Sequence, residues 1–76
     1  MSFEKVKEII VDTINCDEDM ITMEASLKDD IGIDSLDAME LSMALEEEFS
    51  LTIEEEALAN FVTVKDIVDY IDSKSE

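Results

Sequence analysis

The sequence has no histidine, no proline, no tryptophan and no arginine; it has one glycine and one cysteine. Each absence removes a class of function. Without histidine the usual general base and the commonest transition-metal ligand are both missing. One cysteine can form neither an internal disulfide nor a multi-cysteine zinc site. Only five residues are basic, all of them lysine, against 22 acidic ones, and the net charge is -17. A polyanion of this density repels nucleic-acid backbone and anionic membrane, which both need a basic footprint. No run approaches the ~18 apolar residues of a membrane span, and the amino terminus lacks the basic-then-apolar plan of a signal peptide. The expectation is a monomeric, cytoplasmic protein that binds neither nucleic acid nor membrane and holds no metal.

What is present points to a folded chain. The 76 residues suffice for a single domain, taken as 1–76, and 46% of them are hydrophobic and evenly spread. Four segments have helical period and none alternates as a strand does. In the first, Phe3, Val6, Ile10 and Ile14 recur three and four apart, and Ile9 widens the stripe. Ser2 is the expected N-cap and Asn15 the stop. Residues 16 to 34 read as a long loop pinned by Met20, Ile21, Met23, Leu27 and Ile31. Connections of that length are often functional. A second helix starts near Asp34 or Ser35 and ends near Phe49 or Ser50. A short third one is expected around Glu55 to Ala59. The fourth opens on Thr63-Val64-Lys65-Asp66, which resembles a capping box, and buries Val64, Ile67, Val68 and Ile71. The predicted fold is all-α: a small four-helix bundle, three longer helices plus one short helix, with a long loop between helices 1 and 2.

The second helix carries one apolar stripe too many. At about 100° per residue, Ala38, Leu41, Leu45 and Phe49 fall on one side and form an ordinary core stripe. Leu36, Met39 and Met43 fall on the opposite side, with Glu40 and Glu47 among them and Glu46 at the edge. A helix in so small a bundle cannot be buried on both sides. Scattered exposed apolar residues are normal, and methionine is a common core filler. The sharper reading is a docking surface whose acidic rim steers basic partners. Glu46, Glu47 and Glu48 crowd the negative end of the helix dipole, a local cost that suggests another use.

At the start of that helix stands Gly32-Ile33-Asp34-Ser35-Leu36. Glycine permits an unusual turn, and the serine reaches a helix amino terminus, where free N–H groups favour an anion. Ordinary capping by Asp34 or Ser35 accounts for the same residues. No histidine exists to activate Ser35, and although a lysine base is conceivable no nearby lysine in the sequence suggests one, so any chemistry on it must be done by another enzyme.

Over nearly its whole length the chain resembles the acyl carrier proteins. The resemblance rests on Gly32-Ile33-Asp34-Ser35-Leu36, on Asp37-Ala38-Met39-Glu40-Leu41, on Met43-Ala44-Leu45-Glu46-Glu47-Glu48-Phe49, and further on Thr63-Val64 and Asp69-Tyr70-Ile71. It implies that Ser35 is the attachment point of 4′-phosphopantetheine, moved from coenzyme A by a phosphopantetheinyl transferase, with Asp34 and Leu36 in the attachment motif. Acyl groups would ride on the thiol as thioesters, and the carrier itself would do no catalysis. Leu36, Asp37, Met39, Glu40, Met43, Glu46 and Glu47 would meet basic patches on acyl synthases, reductases, dehydratases and acyltransferases. Leu27, Ala38, Leu41, Leu45, Ile53, Leu58, Phe61 and Ile67 would line an acyl pocket. The chain departs from the family in reading Ile53-Glu54-Glu55-Glu56 where Ile-Pro-Asp/Glu is common, and in Ser42 and Ser50-Leu51-Thr52. The implied setting is fatty acid biosynthesis; a specialised carrier for polyketide, aminoacyl or other secondary products is the alternative.

Two readings from other classes are more distant. In a divalent-cation sensor of the EF-hand type with Gly32 at its turn, the first ligand position would be Leu27, which cannot coordinate. Weak cation binding at Asp29-Asp30 or Glu46 to Glu48 is still expected. A nucleic-acid mimic would explain the acidity but not the Gly-x-Asp-Ser-Leu junction.

Overall fold

The structure is a computed structural model that describes residues 2–74. Among these residues there are four helices, α1 Phe3–Ile14, α2 Ser35–Phe49, α3 Glu55–Asn60 and α4 Val64–Lys74, with one 3-10 turn at Glu18–Met20. They enclose one core within 28 × 24 × 19 Å. Helix α1 packs on both α2 and α4. The apolar spacing read from the sequence explains the result: Val6, Ile9 and Ile10 of α1 are buried, as are Leu41 and Leu45 of α2 and the whole stripe Val64, Ile67, Val68 and Ile71 of α4. Phe3, Ile14, Ala38 and Phe49 pack partly buried around them.

Helix ends follow local chemistry. Asn15 and Ser50 adopt left-handed backbone, with φ of 60° and 54°, and stop α1 and α2. Ser2 departs from expectation. It holds the N-cap position of α1 without a side-chain cap; its hydroxyl donates instead to Asp72 Oδ1 at 2.6 Å, joining the start of α1 to the end of α4. The bond to Asp72 uses the hydroxyl as donor to an ionised acceptor, a strong pairing. The cap is missing because the Ser2 backbone, at φ -93° and ψ 6°, is not in the extended conformation that aims an N-cap oxygen at the helix amides.

The long connection is far more ordered than its polar composition suggests. The first amides of α4 have no partners within their own helix. Val64 N–H donates to Ala25 O at 3.1 Å and Lys65 N–H to Met23 O at 3.0 Å. In return Leu27 N–H donates to Val62 O at 2.9 Å, and Ser26 and Thr63 form an isolated antiparallel bridge. The loop thus satisfies the helix start. Ile21, Ala25, Leu27 and Ile33 bury their side chains beneath it. Met20 does not pin the loop as expected; it is 44% exposed, because the 3-10 turn points it to solvent.

Asp66 completes the capping box. Its carboxylate accepts from Val62 N–H and Thr63 N–H at 2.9 and 3.1 Å, and Asp66 N–H donates to Thr63 Oγ1 at 3.4 Å. The two backbone donors hold the Asp66 carboxyl below its ordinary range. A depressed folded value stabilises the fold above the unfolded carboxylate range, and that contribution disappears as pH falls through the folded value. Thermal midpoints of Asp66→Asn and wild type are therefore expected to differ at neutral pH and to converge on acidification. Equal separation at every pH would contradict the assignment.

Charge repulsion works against the whole molecule. With a net charge of -17, added salt screens carboxylates over a Debye length of about 10 Å at 0.1 M. The thermal midpoint is expected to rise from low to moderate sodium chloride, and to rise further with magnesium at equal ionic strength. A midpoint unmoved by either would show that repulsion contributes nothing.

Candidate functional site

The junction that brings the chain into α2 is built by a tight turn. Asp30 and Ile31 N–H both donate to Ser26 O, and Ile33 N–H donates to Leu27 O at 2.7 Å. The chain turns back through Gly32, whose φ of 82° belongs to the left-handed region. A Cβ there would meet nothing within 4 Å, so the demand for glycine is conformational and not steric.

Two residues competed for the cap, and Asp34 takes it. Its backbone is extended, its Oδ1 accepts from Asp37 N–H at 2.9 Å, and Asp37 Oδ2 reaches back to Asp34 N–H at 3.5 Å. Ser35 is thereby released from capping. It is the first residue of α2, exposed, and its hydroxyl makes no hydrogen bond among the described residues. The amides of Ser35 and Leu36 have no acceptor within the helix. A negatively charged group on Ser35 Oγ would sit against these N–H groups and the positive end of the helix dipole.

Ser35 also stands on the wall of a cavity of about 160 Å³ between α2, α3 and α4. Seven of the eight residues expected there line it: Leu27, Ala38, Leu41, Leu45, Leu58, Phe61 and Ile67. Ile53 does not. It is buried in the core, where its N–H donates to Glu46 Oε2 at 2.8 Å. Sequence reading missed Lys28, Ile33, Ser42 and Ala59 on the same wall. Ser42 follows Ala38 by one turn, which was the available signal. Its hydroxyl is satisfied by Met39 O at 2.8 Å, so Ser42 adds no free polar group to the wall, whose polar members are Lys28, Asp34 and Ser35.

On the outer side of α2, Leu36, Met39 and Met43 are 66%, 57% and 62% exposed, with Glu40 and Glu47 exposed beside them. The two remaining acidic residues of that face are committed elsewhere. Asp37 closes the capping box, and Glu46 turns inward to the Ile53 amide. Glu48 pairs with Lys5 at 2.7 Å. The crowding of Glu46 to Glu48 at the helix end is thus relieved by two structural contacts. A further exposed apolar residue, Val62 at 62%, was not singled out from the sequence. Among the described residues no group of three or more acidic, cysteine or histidine side chains could hold a metal ion. No helix among them is long and apolar enough to cross a membrane. Cys16 is half-buried, and burial pushes its thiol up, away from the thiolate form.

The residues at this junction fit a phosphopantetheine group. A free hydroxyl accepts the ester, unpaired helix amides face the phosphate position, and an apolar cavity opens beside them. Comparison with known proteins agrees. The family described as "Phosphopantetheine attachment site" matches residues 4–71. The chain is 51% identical over 74 residues to an acyl carrier protein of Clostridium perfringens, covering 97% of each chain. It is 51% identical over 72 residues to an acyl carrier protein of Petrotoga mobilis, covering 95% of this chain and 85% of the relative. Its fold matches a solved structure described as an acyl carrier protein from Mycobacterium tuberculosis with a TM-score of 0.90, at 30% identity and over 97% and 99% of the two chains. A four-helix fold, an unencumbered serine at a helix start and these likenesses together place the chain in the acyl carrier protein family, whose members bear 4′-phosphopantetheine.

Proposed function

We propose that Ser35 carries the phosphopantetheine arm and that the chain serves fatty acid biosynthesis as a single non-catalytic carrier domain in the cytoplasm. The observation that carries this reading is the division of labour between neighbours. Asp34 caps the helix, so Ser35 Oγ is left exposed and unbonded on the wall of an apolar cavity.

When bound, the group supplies a thiol at the end of a flexible arm, on which acyl groups are held as thioesters. The chain's own residues do the rest. The amides of Ser35 and Leu36 would hold the phosphate, while Asp34 and Asp37 fix the backbone that presents the hydroxyl. Those two carboxylates repel a phosphate and serve it only by holding the turn. Hydrocarbon walls from Leu41, Leu45, Leu58 and Phe61 favour an alkyl cargo and keep water from it. That preference supports the fatty-acid setting over polar cargoes. An apolar void of about 150 Å³ holds a benzene-sized guest, so a cavity of about 160 Å³ suits a short chain without rearrangement.

Leu36, Met39 and Met43 with Glu40 and Glu47 form the docking face for the transferase and for synthases, reductases, dehydratases and acyltransferases. Charge there sets encounter rate and salt sensitivity more than tightness, which suits a carrier that must leave each partner. The test is intact mass after incubation with coenzyme A and a promiscuous phosphopantetheinyl transferase. The wild-type chain is expected to gain one phosphopantetheine. An unchanged mass would end the reading. Elongation of the loaded chain by purified fatty-acid synthase components tests the pathway, and loading without elongation would reject that part alone.

A further inference from the structure

The environment of Ser35 is short of positive charge, and the few cations of the chain are distributed unevenly. Lys5 pairs with Glu48 at 2.7 Å, and Lys65 with Asp69 at 2.6 Å. Lys7 lies 3.9 Å from Glu18 and over the Phe3 ring. Lys74 stands over the Tyr70 ring, 5.4 Å from its centroid. Lys28 alone of the five makes no ion pair, hydrogen bond or ring contact among the described residues. It is also the one lysine on the wall of the Ser35 cavity.

The turn that precedes α2 puts it there. The bond from Ile33 N–H to Leu27 O closes the loop, so Lys28 and Ser35 meet at the same cavity although seven positions separate them. Lys28 lines a second cavity too, of about 260 Å³, which shares Leu27, Ala59 and Phe61 with the first. Lys28 is exposed and lines two adjoining, mostly hydrocarbon cavities, a setting in which a lysine can cover apolar surface with its stem while its ammonium stays hydrated. Of the carboxylates that would compete for it, Asp34 and Asp30 are engaged, whereas that of Asp29, which shares the wall of the second cavity with it, has no partner among the described residues and competes with a phosphodiester for the ammonium. Asp34 Oδ1 accepts from the Asp37 amide and Asp30 Oδ2 from the Ser26 amide at 2.7 Å.

Resting on the assignment of Ser35, we propose that Lys28 is the counter-ion of the phosphodiester formed there, holding the root of the arm at the rim of the cavity. Two readouts other than carrier activity test it. The first is lysine acetylation followed residue by residue in the unloaded and loaded protein. Loading is expected to slow modification of Lys28 about two- to threefold, the size of a solvent-exposed ion pair, with the other four lysines unchanged. The second is the phosphorus resonance of the loaded protein. It is expected to shift in Lys28→Gln and to remain near its wild-type position in Lys28→Arg. Equal Lys28 reactivity before and after loading, or an unmoved resonance in Lys28→Gln, overturns the proposal. A chain that takes up no phosphopantetheine overturns both assignments, whereas normal uptake with an indifferent Lys28 overturns only this one.

Discussion

Ser35→Ala is expected to abolish uptake of phosphopantetheine entirely while leaving the thermal midpoint within about 2 °C of wild type. Both halves follow from geometry. The hydroxyl is exposed and bonds to nothing among the described residues, so its removal strands no partner. Alanine is also a good residue for the first turn of a helix. Asp34→Ala should behave in the opposite way. Removing the side chain leaves the Asp37 amide without its acceptor and costs about 1 kcal/mol. It leaves the reacting oxygen in place, so uptake slows through a frayed helix start instead of vanishing. Intact mass and thermal melts on the two variants check this crossing of effects. A Ser35→Ala protein that still gains the group, or one that loses stability as Asp34→Ala does, would refute the assignment of roles.

Ile71→Ala is expected to be among the most damaging single changes in the core. Ile71 lies mid-α4, is fully buried and takes no part in the cavity. Truncating such a side chain costs about 2–5 kcal/mol. A domain of this length has roughly 4–11 kcal/mol of total stability, and a short chain with strong self-repulsion lies toward the low end. The midpoint should fall by at least about 10 °C, and at low salt a large fraction should be unfolded at 37 °C. Added salt should partly restore it, because repulsion and the lost packing act on the same equilibrium. Denaturant titration gives the free energy directly. A loss below about 1 kcal/mol would mean that the core had collapsed around the vacancy, and that α4 is less central than its burial indicates.

The helices were legible because their signals are local. The stripes of α1, α2 and α4 obey the helical period, and left-handed Asn15 and the Thr63–Asp66 box sit where their side-chain chemistry puts them. The surplus stripe of α2 was legible for the same reason, since a helix touching a small core on one side must expose the other. What escaped depends on contacts distant in sequence. Ser2 prefers Asp72, 70 positions away, to its own helix. The inward turn of Glu46 depends on where Ile53 arrives after the chain leaves α2. Which of Asp34 and Ser35 caps could not be decided from residue type, because both are good caps; the backbone of the preceding turn decides it. Most of the cavity wall was legible because core and pocket residues share one composition, and Ile53 was misplaced for that same reason.

Helix α3 has six residues, none of them buried and none capped by a side chain. So short a segment does not persist by itself in water. Its neighbours hold it in shape, yet Leu58 and Ala59 form one side of the cavity. Of the three helices around the chamber, two are therefore stiff and one is soft. On the proposed carrier role, guests of differing length would be received by yielding at that side, and tolerance of varied cargo would then be a property of the weakest segment rather than of the core.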